Sequence, residues 1–196
     1  MLLGESSTIM NVRCDWAKDQ IEIDYHDKEW GIPLHNDRKL FEFLVLEGMQ
    51  AGLSWRIILN KRQEFRKAFD NFEVELVANY DNMKIKELCL NPLIIRNRKK
   101  IEATVSNANA FIRTQKEFGS FDTYIWNFVG YKPIQNSWKT YKVVPSTSVE
   151  SDMISKDLRN RGFRFVGSRI CYAMMQAVGM VNDHTTGCFR YKQLRR

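Results

Sequence analysis

Apolar residues recur at helical spacing along most of the chain. In DRKLFEFLVLEG, Leu40, Phe41, Leu44 and Val45 share one face, and in SWRIILNKRQEFRKAF the corresponding positions are Ile57, Ile58, Phe65 and Phe69, with Ser54 placed to cap. The spacing predicts two amphipathic helices joined by the short turn MQAGLS. KIEATVSNANAFIRTQKEFG continues the pattern with Ile101, Val105, Ala108 and Ile112 before Gly119 as a stop signal. SDMISKDLRNRG and GSRICYAMMQAVG predict two more helices around a turn, entered through a polar connection from Pro145 to Ser151. Period-two alternation is scarce, and YKVVPS is the one clear short extended stretch. The expected fold class is all-α, with no internal repeat and no low-complexity segment.

A length of 196 residues suits one compact domain or two closely joined lobes, and 44% hydrophobic against 27% charged residues excludes a disordered or fibrous chain. No apolar run approaches the ~20 residues that span a bilayer, and MLLGESS lacks the charged and apolar regions of a signal peptide, so the expectation is a cytoplasmic protein with no membrane partner. Thirty Lys plus Arg against 23 Asp plus Glu gives a net charge of +7, which favours polyanionic partners, nucleic acid ahead of a membrane surface.

The four cysteines are Cys14, Cys89, Cys171 and Cys188, too few for a disulfide framework in a reducing compartment. Cys89 and Cys171 lie in apolar helical patterns and read as core. In NDHTTGC, His184 and Cys188 stand four residues apart, a spacing at which an imidazole and a thiolate can share a metal ion. Cys14 and His26 lie in RCDWAKDQIEIDYHDKEWG at the other end, so two Cys and two of the three His bracket the chain. Cys-x11-His is not zinc-finger spacing. Spacing alone leaves open a bridging site or an isolated buried histidine with an inert thiol.

YHDKEWGIP, LEGMQAGLSW, IIRNRKKIEA, RGFRFVGSRICYAMMQAVGMVNDH and the final Cys188, in this order, resemble the DNA-3-methyladenine glycosylase I (Tag) family of the helix-hairpin-helix glycosylase superfamily. The resemblance runs from Cys14 to Cys188, leaving residues 1–13 as an N-terminal extension and 14–196 as one glycosylase domain. It implies a helix-hairpin-helix glycosylase fold in which one structural zinc ion, held by Cys14, His26, His184 and Cys188, joins the N- and C-terminal segments. It further implies a monomeric, monofunctional DNA repair enzyme that hydrolyses the N-glycosidic bond of 3-methyladenine in double-stranded alkylated DNA, leaving an abasic site. Glu47 becomes the pocket carboxylate and catalytic candidate, within an aromatic base-binding set of Tyr25, Trp30 and Trp55, with Trp16 beside Cys14. Gly52 and Leu53 match the segment that fills the gap left by the flipped nucleotide. RGFRFVGSR supplies the backbone-binding hairpin, with Gly162, Gly167, Arg164 and Arg169; it has Phe-Val-Gly where the superfamily more often has G-h-G. RNRKK, Arg96 to Lys100, is a further basic run for backbone contact.

The residue types suit that chemistry. Methylation at N3 makes the base cationic, so π faces and one carboxylate attract it by terms that neutral adenine does not feel. Asp183 adjoins His184 and reads as its structural neighbour, not as a nucleophile. The competing readings are a zinc-stapled module that binds DNA without cutting, which would not need Glu47, and a zinc hydrolase or deaminase, which would need HExxH or an H-x-E with PCxxC, motifs the chain lacks.

Overall fold

The computed structural model describes residues 12–195. Among them ten α-helices run in chain order: α1 (Gln20–Lys28), α2 (Asp37–Gln50), α3 (Trp55–Ala68), α4 (Val74–Ala78), α5 (Asn82–Leu90), α6 (Arg98–Phe118), α7 (Phe121–Asn127), α8 (Val149–Asn160), α9 (Ser168–Ala177) and α10 (Phe189–Leu194). The all-α expectation holds. The extended pairing is a two-residue parallel bridge of β1 (Ile134–Gln135) with β2 (Val181–Asn182).

The centre of the molecule is α2. Its spacing predicts one apolar face, yet every residue from Leu40 to Met49 is buried, because α3, α6, α7 and α9 all pack against it. A helix enclosed on all sides must satisfy its polar side chains internally. Glu42 does so with Arg62 of α3, whose Nε donates at 2.6 Å, and with Arg66. Arg62 also gives Glu29, at the end of α1, a two-pronged pair at 2.6 and 2.7 Å. This network lets Arg62 share the buried face of α3 with Ile58 and Phe65, whereas Ile57, expected inside, lies off that face at 38% exposure. Ser54 stands at the N-cap of α3 but its side chain makes no capping bond. On α6, Ile101, Ala108 and Phe111 are buried, Val105 and Ile112 are half-buried, and Gly119 ends the helix as expected.

YKVVPS is not a strand. Tyr141–Val143 forms a 3₁₀ turn, with Val143 turned to solvent and Tyr141 packed against the core. The connection that follows enters α8 through a capping box, in which Ser148 and Ser151 each accept the other's backbone N–H. Cys171 is buried in the core, whereas Cys89 is only half-buried at the end of α5. At the end of α9, Gly179 at φ +72° leaves no room for any side chain: an added Cβ would lie 2.4 Å from the Pro33 nitrogen. That approach presses the last turn of α9 onto the segment between α1 and α2. Among the described residues no helix is long and apolar enough to cross a membrane.

Candidate functional site

The two ends of the chain meet in a buried Cys/His cluster. Cys14 precedes α1, His26 lies on α1, and His184 and Cys188 lie between β2 and α10; their ligand atoms all fall within 4.8 Å of one another. Cys14 Sγ is 3.6 Å from His184 Nδ1, and Cys188 Sγ is 3.5 Å from the same nitrogen and 3.4 Å from His26 Nε2. A tetrahedral ion with bonds of about 2.3 Å to sulfur and about 2.05 Å to nitrogen would set sulfur and nitrogen about 3.6 Å apart. The outward-facing ring nitrogens are held as metal-binding histidines require: His26 Nδ1 meets Asp27 Oδ1 at 2.8 Å, and His184 Nε2 meets the Trp30 carbonyl at 3.2 Å. Asp27 is in turn gripped by Arg13. The contact between the two sulfurs pushes the Cys14 thiol up and holds the Cys188 thiol down, so a thiolate is already favoured at Cys188. Donor types, spacing and burial fit a metal ion.

Arg13 and Val12 are part of this clasp: Arg13 pairs with Asp27, and the Phe189 N–H donates to the Val12 carbonyl at 2.9 Å. The expected N-terminal extension is therefore docked at its last residues; residues 1–11 of that extension lie outside the described ones.

One wall of the cluster is also a wall of a cavity of about 220 Å³. Trp16 makes that wall, its ring 5.4 Å from His26 on one side and 6.2 Å and 5.0 Å from Tyr25 and Trp30 on the other. All of the predicted base-binding residues, Trp16, Tyr25, Trp30, Glu47 and Trp55, line this cavity together. They come from different elements, and the Glu29–Arg62–Glu42 network fixes the relation of α1, which carries Tyr25, to α2 with Glu47 and α3 with Trp55. Consecutive residues of α1 thus serve two sites, since adjacent helical positions point about 100° apart: Tyr25 faces the cavity and His26 the cluster.

Glu47 is 3% exposed, and its Oε2 has no hydrogen-bond partner in the protein. Burial pushes its carboxyl up to about 8. The indole N–H groups of Trp16 and Trp55 are likewise buried without partners. Three buried polar atoms without a protein partner thus belong to residues lining one small aromatic chamber, and an occupant with both donors and acceptors would satisfy them.

Residues absent from the sequence-based set complete the lining: Gln50, Arg56, Tyr141 and Gln176 among them. Gln176 carried a usable signal, as the one amide in the apolar run RICYAMMQAVG; Tyr141 carried none, since its stretch reads as a strand.

Gln50, Tyr141 and Gln176 also border an adjoining groove of about 880 Å³. Gly52, Leu53, Gly167 and Arg169 all line it. Gln50 to Leu53 form a type II turn, closed by the Leu53 N–H on the Gln50 carbonyl at 2.6 Å, in which Gly52 at φ +80° takes the position that only glycine fills easily. Leu53 is displayed at 38% exposure. Gly167 is the N-cap of α9, facing the groove. Gly162 and Arg164 lie apart from it: the Gly162 amide donates to the Arg159 carbonyl at the end of α8, and the Arg164 amide to Asn107 Oδ1 at 2.7 Å, so neither amide is available to a phosphate. In RNRKK, Lys100 is buried with its ammonium on the Met49 and Ala51 carbonyls at 2.8 and 2.7 Å, and Arg98 pairs with Glu102; Arg96 faces a separate groove on the other side of Leu53.

Comparison with known proteins identifies the family of the chain. A family model described as methyladenine glycosylase matches residues 16–191. DNA-3-methyladenine glycosylase of Haemophilus influenzae is 44% identical over 180 residues, covering 91% of this chain and 97% of its own. A crystal structure of 3-methyladenine DNA glycosylase I superposes with a TM-score of 0.89 at 44% identity, over 91% of this chain and 98% of the other. A single-residue variant of such an enzyme, in complex with 3-methyladenine, gives a TM-score of 0.86 at 34% identity, over 88% of this chain and 92% of the other. With the buried carboxyl, the aromatic chamber and the clasped chain ends all in place, this chain belongs to the methyladenine glycosylase family.

Proposed function

We propose that the protein excises 3-methyladenine from alkylated double-stranded DNA, hydrolysing the N-glycosidic bond and leaving an abasic site. The observation that carries this reading is Glu47, a buried, unpartnered carboxyl in an aromatic chamber large enough for one base. Around neutral pH the carboxyl of the free protein is largely protonated, because burial denies it a counter-charge. A cationic base supplies that counter-charge, so its entry and the ionisation of Glu47 favour each other. Neutral adenine meets only a neutral acid. The π faces of Trp16, Tyr25, Trp30 and Trp55 add attraction for a cation.

Catalysis asks little further of the pocket, since a base that is cationic while attached takes the bonding electrons with it and departs as neutral 3-methyladenine, with no need of a proton. The carboxylate also stabilises the positive charge that develops on the sugar as the bond breaks, before water attacks it. The base must first leave the stack; Leu53 on its glycine turn enters the space it vacates, while Gly167 and Arg169 at the start of α9 hold the backbone of the same strand, α8 and α9 acting as the helix-hairpin-helix unit. The ion in the Cys14, His26, His184 and Cys188 cluster is zinc, in a closed site with a purely structural role. The enzyme works as a monomer and has no lyase step.

The decisive test is base release. Alkylated duplex DNA incubated with the protein yields free 3-methyladenine, and Glu47→Ala lowers the rate by about 100-fold or more while bound metal stays at one ion per chain. A folded, metal-bound wild-type protein that releases no base overturns the reading.

A further inference from the structure

Asp183 is buried and takes four hydrogen bonds: Asn136 Nδ2 and Trp138 Nε1 donate to Oδ1, and the Tyr172 hydroxyl and Gln176 Nε2 donate to Oδ2, all at 2.7–2.8 Å. That constellation gives Asp183 a task besides adjoining His184. A carboxylate only accepts, so the Gln176 amide cannot turn round without setting two oxygens against each other. The side chain of Gln176 lines both the base-sized cavity and the adjoining groove. With one Nε2 hydrogen held by Asp183, the amide is fixed with its carbonyl Oε1 as the acceptor it can offer an occupant of the cavity.

We infer that Gln176 is a specificity-determining residue, accepting a hydrogen bond from the exocyclic amino group of the extruded base, and that Asp183 is the positioning residue that keeps the amide facing this way. The inference rests on the glycosylase reading and extends it to the choice among cationic bases. Charge alone does not separate 3-methyladenine from 3-methylguanine, since methylation makes both cationic. The edge at position 6 does: an amino group donates to Oε1, whereas a 6-oxo group brings a second acceptor and leaves Oε1 unpaired in a buried site. A fixed acceptor is needed for this. A free glutamine amide would turn over and serve either base.

The experiment uses one methylated DNA sample containing both lesions. Wild-type protein releases 3-methyladenine in preference to 3-methylguanine, and Gln176→Met lowers that preference about tenfold through loss of adenine release. Asp183→Asn keeps Gln176 but offers it a donor as well as an acceptor, and lowers the preference in the same direction. A purely structural role for either residue would reduce both releases in proportion and leave the ratio unchanged, which overturns the inference. Binding of free 3-methyladenine and 3-methylhypoxanthine to the unaltered protein gives a reading that needs no variant: the amino base binds about tenfold tighter, and equal affinities refute the assignment. A wild-type protein that releases neither lesion refutes the glycosylase reading itself, an outcome distinct from release without discrimination.

Discussion

A carboxyl group without a partner in an apolar chamber is a liability to the free protein, and Glu47 makes the liability measurable. Its folded-state value of about 8 lies above the ordinary 4.5. Below pH 4.5 both folded and unfolded chains hold the proton; between the two values the folded chain alone holds it, so stability falls as pH rises; above about 8 the loss is complete. Glu47→Gln removes the dependence. Its melting temperature should match wild type near pH 4.5 and exceed it increasingly up to about pH 8, by on the order of 10 °C. Melts across that range check this, and a difference that does not vary with pH contradicts it. On the proposed mechanism the same group governs turnover. For the free enzyme, kcat/KM should rise with pH through about 8 and lose that limb in Glu47→Gln.

Among the elements, the turn from α2 to α3 depends on a lysine well away in sequence. Lys100, at the start of α6, donates to the Met49 and Ala51 carbonyls, which are left open where α2 ends, and so anchors the turn that displays Leu53. Lys100→Met leaves both carbonyls without that donor. It should lower stability by about 1–3 kcal/mol and weaken binding to duplex DNA with an abasic analogue, while free 3-methyladenine binds as before; denaturant melts and titrations check it, and equal weakening of both ligands contradicts it. Sequence pattern found Lys100 only as one member of a basic run, because a buried ammonium is specified by carbonyls 49 and 51 residues distant. The longer helices α2, α3, α6, α8 and α9 were legible through apolar spacing, whereas the short α1, α4, α7 and α10 were not, being too brief to show a repeat. The faces were less so: α2 is enclosed on every side, and on α3 the charged Arg62, paired with Glu29 and Glu42, lies on the buried face while Ile57 does not. Glu47 and the aromatic set were legible through family resemblance. Gln176 had a local signal as the one amide in an apolar run, but its place in the lining, like that of Tyr141 on a 3₁₀ turn, comes from tertiary packing that no local spacing encodes.

For the whole molecule, the Cys/His cluster couples the chain ends to the pocket. Cys14 and His184 are 170 residues apart in sequence, so an ion bound between them closes a very long loop and removes much of the unfolded chain's freedom. The cluster also touches the chamber directly: Trp16 packs on His26, and Trp30 lines the chamber while its carbonyl meets His184. Removing the metal should therefore do two things in order. Chelation should lower the melting temperature by about 10 °C or more, as expected for loss of a structural ion, and base release should disappear only as Trp fluorescence reports loosening of Trp16 and Trp30. Metal exchange separates this from catalysis by the ion. Cobalt and cadmium differ from zinc in Lewis acidity yet accept the same tetrahedral donors, so each should restore release to within about twofold of the zinc form while melting temperatures differ among them. A catalytic ion would instead change the rate with each metal at constant fold, and a rate that follows metal identity and not stability would place the chemistry in the clasp.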